Sequence, residues 1–158
     1  MTASIATAFT PNPQRPRGVL IGEGQDITPI LQLAEQLQQR TDAAWRPLVL
    51  LGSESSFPFR LRPSTIMVAG MPDGVIAGLT SLDEMGIPSR LASASDLPGC
   101  HQGWVTELAT AWLQTLDATA LTEVELFACG SAPLLNATTQ VANRFGVACQ
   151  LSQQNTTQ

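Results

Sequence analysis

Gly18-Val19-Leu20-Ile21-Gly22-Glu23-Gly24-Gln25-Asp26-Ile27-Thr28-Pro29 runs from a short apolar strand through a glycine turn into the start of a helix. The same progression returns late in the chain as Glu123-Val124-Glu125-Leu126-Phe127-Ala128-Cys129-Gly130-Ser131-Ala132-Pro133. In an open parallel sheet such strand-to-helix turns gather at the carboxyl ends of the strands, the edge at which nucleotides bind. The pair therefore predicts an α/β domain with both turns on one edge. The first turn also carries Glu23 and Asp26, two carboxylates where a phosphate-cradling loop uses small neutral residues.

Working outward, strand and helix patterns alternate. A helix is predicted over 27–40, with Ile27, Ile30, Leu31, Ala34 and Leu37 at helical spacing. Thr28 or Asp26 can cap it, and Pro29 is tolerated in its first turn. Leu48–Leu51 reads as a second strand closed by Gly52, and Thr65–Ala69 as a third closed by Gly70. Between them, the serines of 53–56 and Phe57-Pro58-Phe59-Arg60 predict an exposed aromatic loop, an association surface unless it folds back onto the core. A helix is expected over 73–85 with Ile76, Leu79, Leu82 and Met85 inward, then a weaker strand over Ser89–Ser93.

Gly103 opens an amphipathic helix with Val105, Leu108, Ala109, Trp112 and Leu116 on one face, and Trp112 is read as core. Strand 123–128, a helix over 132–145 and a last strand Val147–Leu151 complete the pattern. Near-continuous apolar strands between helices imply parallel pairing with both faces covered. The expected fold is a three-layer, Rossmann-like α/β domain over 18–152 with a five- or six-stranded parallel sheet. Residues 1–17, with Pro11, Pro13 and Pro16, are expected as an extended arm with little core potential, and 153–158 as a polar tail.

Composition narrows the function classes. The chain has 158 residues, 44% hydrophobic and only 13% charged, against a usual charged share of roughly a quarter. That favours burial against a partner. Net charge is −5, every basic residue is an arginine, and the arginines are scattered, so no basic stripe is available for nucleic acid. No apolar run reaches the roughly 18 to 20 residues of a membrane span, and Met1–Phe9 lacks the features of a signal peptide. Cys100, Cys129 and Cys149 are odd in number and lack C-x-x-C spacing, which argues against a disulfide scaffold, a zinc site and an iron–sulfur site. A cytoplasmic protein is expected, with no metal site.

The two turns, in this order and at this separation, resemble the pyridine-nucleotide half of the ferredoxin reductase family. Within it, the electron-transfer subunit of dihydroorotate dehydrogenase is the nearest likeness. Gly22-x-Gly24-x-x-Ile27-Thr28-Pro29 is similar to the family's glycine turn, and Gly103-Trp104-Val105-Thr106-Glu107-Leu108 to its Gly-x-Val-Thr-Asp helix start. Cys129-Gly130-Ser131-Ala132-Pro133-Leu134-Leu135 resembles its Cys-Gly-Pro-x-Pro-Met-Leu turn, and Gly146-Val147-x-Cys149-Gln150-Leu151-Ser152 the strand that follows.

The resemblance implies a domain that holds NAD(P)H and presents its nicotinamide to a flavin held by a separate flavoprotein. It assigns cofactor binding to Gly22, Glu23, Gly24, Gln25, Asp26, Thr28, Pro29, Cys129, Gly130, Ser131 and Pro133, with no catalytic side chain. The chain departs from the family where a flavin-binding barrel would precede the domain and a cysteine-rich iron–sulfur segment would follow it. Neither FAD nor an iron–sulfur cluster is therefore expected in this chain. Ser131 also stands in place of the usual proline.

Each candidate has a structural competitor. Glycine suits any strand-to-helix turn. Asp26 can cap the helix, while Glu23 can point to solvent or accept a ribose hydroxyl. Cys129 suits a small buried apolar position as well as a place near the nicotinamide, and Ser131 is read first as the cap of the helix that starts at Ala132. Cys100 and Cys149 are read as packing residues and His101 as a surface-loop residue. Three functions compete at this level: an NAD(P)H-binding module, a non-catalytic interaction or homodimeric protein that keeps the fold, and a binder of another nucleotide.

Overall fold

A computed structural model of the chain describes residues 9–23 and 27–153. In chain order the elements are β1 (Arg17–Glu23), α1 (Thr28–Gln39), β2 (Leu48–Ser53), β3 (Arg62–Pro63), β4 (Ala77–Gly78), α2 (Thr80–Glu84) and β5 (Ser89–Ser93). There follow β6 (His101–Gln102), α3 (Val105–Leu113), α4 (Ala118–Leu121), β7 (Val124–Gly130), α5 (Ala132–Phe145) and β8 (Ala148–Gln153). Six strands form one sheet in the order β6-β5-β2-β1-β7-β8, with every neighbouring pair parallel. β3 and β4 form a separate antiparallel pair.

The sheet is covered on both faces, which is why its central strands are apolar at successive positions rather than alternate ones. Leu20, Leu51 and Phe127 pack on one side with Ile30, Leu33 and Leu37 of α1. Val19, Ile21, Leu50 and Leu126 pack on the other with Leu108 and Leu113 of α3 and Leu134 of α5. From β1 the chain builds outward through β2, β5 and β6, then returns to place β7 on β1's other side. The order reverses between β1 and β7, where Gly22 lies opposite Cys129. The expected three-layer parallel fold holds, with the ends of β1 and β7 side by side at its carboxyl edge.

Several local expectations do not hold. Thr65–Ala69 is not a strand: the sixth strand is the two-residue edge β6, so His101 belongs to the sheet rather than to a surface loop. The apolar run fails as a strand because its polar groups are engaged outside the sheet. Thr65 N donates to Asp83 Oδ2 at 2.8 Å, and Ile66 O accepts from Arg90 Nη2 at 2.6 Å. The helix expected over 73–85 starts only at Thr80. Ala77 and Gly78 instead form β4, paired with Pro63 and Arg62, where Gly78 lies so close to the Ser89 carbonyl that a Cβ would be 2.9 Å from that oxygen. Ile76 and Met85 are consequently exposed, while Leu79 and Leu82 are buried.

The N-terminal arm contributes to the core. Phe9 is buried and meets Phe127 edge-on at 5.5 Å. Gln150 holds the arm through both its amide groups, accepting from Thr10 N at 2.8 Å and donating to Thr10 O at 2.7 Å. Phe57 and Phe59 stack on each other at 5.2 Å and pack, partly buried, against the α1-side core, so the aromatic loop is folded back rather than projecting. Trp112 is half-buried rather than fully core.

Candidate functional site

Glycine ends the strands that form the edge, and each has a packing reason. A Cβ on Gly22 would press on Ile30 Cγ1 at 3.2 Å, one on Gly52 on Val105 Cβ at 2.9 Å, and one on Gly130 on Leu134 Cδ2 at 2.7 Å. Each glycine lets a helix start close over its strand end, which brings helix N-termini to the same edge. Gly52 was not among the sequence candidates. Its signal was a position at the end of a predicted strand, equivalent to those of Gly22 and Gly130.

α1 begins with Ile27 as N-cap, without a side-chain cap and without an acidic residue in its first turn. Thr28 is the first residue of the helix, and the N-cap position is Ile27; Asp26, the other expected cap, lies outside the described residues together with Gly24 and Gln25. Pro29 occupies the first turn and is buried. At the second turn Ser131 is the N-cap of α5 and accepts from Leu134 N, with Pro133 in the first turn behind it. The capping role read from the sequence is thus present.

The two turns are joined directly. Ser131 Oγ–H donates to Glu23 Oε1 at 3.1 Å, so Glu23 reaches across the reversal point toward α5 rather than into open solvent. Cys129 is buried at the end of β7, next to this contact in sequence. The other thiols are not prepared for chemistry: burial raises Cys100, and burial together with the Glu125 charge pushes Cys149 up to about 11.

Beside the turns, Glu23, Gly52, Glu54, Trp104 and Val105 border a crevice of about 550 Å³ at the carboxyl edge. No arginine lines it, and Trp104 is 64% exposed. The α3 start is fixed by Glu107, which accepts from Trp104 N at 3.2 Å and lies 2.7 Å from His101 Nε2. A Cβ on Gly103 would collide with both members of that pair, and its φ of +152° also favours glycine. His101 therefore orders the α3 start. Sequence reading missed the exposure of Trp104, since an aromatic just before a helix start gives no sign of which way it faces. Among the described residues no cluster of His, Cys, Asp and Glu could hold a metal ion, and no helix is long and apolar enough to cross a membrane.

No protein-family model matches the chain, and no curated protein matches it in sequence. Solved structures do. A ferredoxin reductase in carbazole 1,9a-dioxygenase superposes with a TM-score of 0.63 at 18% identity, covering 93% of this chain and 40% of its own. The FAD apo form of a ferredoxin reductase in carbazole 1,9a-dioxygenase gives a TM-score of 0.57 at 16% identity, over 93% and 38%. The chain thus spans about two-fifths of the length of these structures. At this identity the likeness is one of fold, and the fold is ferredoxin reductase-like.

Proposed function

We propose that the chain is a pyridine-nucleotide-binding module of a flavin-dependent electron-transfer system, working with a flavoprotein on a separate chain. The observation that carries this reading is the position of the β1 and β7 turns, side by side at the point where the strand order reverses, each leading into a helix start. Among the described residues the α1 N-terminus has no side-chain cap and no acidic residue in its first turn, and a helix end of that kind favours an anion such as a dinucleotide pyrophosphate. Gly22 and Gly130 let Ile30 and Leu134 close over the strand ends and so bring the helix starts to the seat, Ser131 would offer its hydroxyl on release from Glu23, and Cys129 is assigned to the nicotinamide side. Thr28, Pro29 and Pro133 stand at the two helix starts, and Gly24, Gln25 and Asp26, outside the described residues, complete the proposed binding set. The Cys129–Leu135 turn supports kinship with the electron-transfer subunit of dihydroorotate dehydrogenase.

Glu23 works against tight binding. A phosphate charge about 4 Å from a carboxylate is repelled by roughly 4 kcal/mol at an effective dielectric of 20. A helix N-terminus returns only about 0.3–1 kcal/mol. The reading therefore predicts weak, saturable binding of NADH and ADP-ribose and none of FAD in calorimetric titrations of the purified chain. Glu23 lying across the cleft favours one second reading, a non-catalytic interaction or homodimeric protein that keeps the fold. Failure of NADH to bind both wild type and a Glu23→Gly, Asp26→Gly variant would decide for it.

A further inference from the structure

The opposite, amino-terminal edge of the sheet holds a second cavity, of about 460 Å³, remote from both turns. Its floor is formed where strands begin, at Arg17 of β1 and Leu48 of β2, and it lies within the roughly 300–1,000 Å³ of small-molecule sites. Trp45, Trp112, Met67 and Val68 supply apolar walls, and Arg17 and Arg46 supply charge.

One wall is the apolar segment that the sheet leaves out. Its leading end is tied down by the Asp83 carboxylate, which accepts from Ser64 Oγ at 2.7 Å and Thr65 N at 2.8 Å, and by the buried Arg90 through Ile66 O. Its trailing end passes close to α3: a Cβ added to Gly70, at φ +80°, would collide with Thr115 Cγ2 and lie 3.1 Å from the Ala111 carbonyl oxygen. Between these anchors Met67 is held 92% exposed at the cavity. A fixed loop that presents a soft, polarizable side chain to solvent is a costly arrangement for packing alone and a suitable one for an apolar ligand.

Charge selects the ligand further. In a chain of net charge −5, no acidic residue lines this cavity among the described residues. Arg17 Nε donates to Glu123 at 3.1 Å, which offsets one guanidinium. Arg46 has only a backbone bond to Pro16 O, and its side chain makes no ion pair among the described residues. Arg46 is an exposed residue on the cavity lining, and its guanidinium is left to meet one negative group. Trp45 is held in place by its indole N–H to Asp42 at 2.7 Å and by the Arg40 guanidinium 4.7 Å over its ring.

We infer that this cavity binds a small monocarboxylate with an aromatic or otherwise apolar body. Arg46 meets the carboxylate, and Trp112 and Met67 contact the body. The site is independent of the nucleotide edge, so neither reading depends on the other.

The test uses the full chain carrying Trp104→Phe, so that fluorescence reports on Trp45 and Trp112 alone. Phenylacetate, neutral phenylethanol and inorganic phosphate are the probes. The expected result is a saturable change with phenylacetate that NADH and phosphate do not reverse, and binding roughly tenfold weaker or worse for phenylethanol and for Arg46→Gln. Circular dichroism of Arg46→Gln should be unchanged, because only the backbone of Arg46 is bonded. No saturable response, equal binding by a folded Arg46→Gln chain, equal binding of phenylethanol, or displacement by phosphate or NADH would each overturn the assignment.

Discussion

Ser131 Oγ–H donates to Glu23 Oε1 at 3.1 Å, linking the last residue of β1 to the cap of α5. The hydroxyl that could meet a ligand is thus engaged by the protein's own carboxylate. On the proposed reading, a bound pyrophosphate must displace Glu23 or sit beside it, and the side chain opposes binding at the edge where the nucleotide is proposed to lie.

The edge geometry depends on Gly52. In Gly52→Ala the new methyl meets the β-branched Val105 Cβ at 2.9 Å, at the start of α3. Val105 is buried and has little freedom to yield, so the variant should lose about 1–3 kcal/mol in urea denaturation. Unchanged stability would mean that α3 moves off the strand end freely.

The arm is expected to be part of the cooperative unit. Phe9→Ala should cost about 3 kcal/mol, the low end for a buried aromatic because the arm can detach. Gln150→Ala removes both bonds to Thr10 and should speed hydrogen exchange at the Thr10 amide without unfolding the sheet. Equal exchange in wild type and variant would show that Phe9, with the bonds of Asn12 to Glu125 and of Arg15 to the Val124 carbonyl, holds the arm without Gln150.

Asp83 gives a pH-dependent contribution. Partial burial raises its pKa, but hydrogen bonds from Ser64 and Thr65 and the Arg90 charge outweigh this and hold it below the ordinary carboxylate value. A depressed folded pKa stabilises above the unfolded value of about 3.9 and is lost as pH falls through the folded one. Wild type should therefore lose part of its thermal stability below about pH 4, and Asp83→Asn should lack that part. At neutral pH the variant should be less stable by about 1–2 kcal/mol, a figure reduced for solvent exposure. Parallel pH profiles of the two proteins would contradict the assignment.

The contrast between sequence and structure has physical causes. The strands beginning at Arg17, Leu48 and Val124 were legible because strands buried on both faces must be apolar throughout. α1, α3 and α5 were legible from the 3.6-residue period. Thr65–Ala69 looked more strand-like than Ser89–Ser93, yet Ser89–Ser93 is the strand. Its buried Ser89, Arg90 and Ser93 bond to partners distant in sequence, Leu79 N, Ile66 O and Ser55 O, although Arg90 Nε is left without one among the described residues. No local pattern reveals such partners. Phe9 was missed for the same reason, since its partner Phe127 lies near the other end of the chain. At the candidate site the sequence placed Glu23 and Ser131 in the two turns but left open which way Glu23 faced.

The nucleotide seat is tested most directly by calorimetric titration of NADH into wild type and the Glu23→Gly, Asp26→Gly variant, at low salt and at 0.15 M salt. Removing like charge worth a few kcal/mol should strengthen binding at least about tenfold, and higher salt should narrow the gap by screening. Weak wild-type binding with that gain is the predicted result. Tight wild-type binding left unchanged by the double substitution would contradict the account, because Glu23 would then not oppose the ligand.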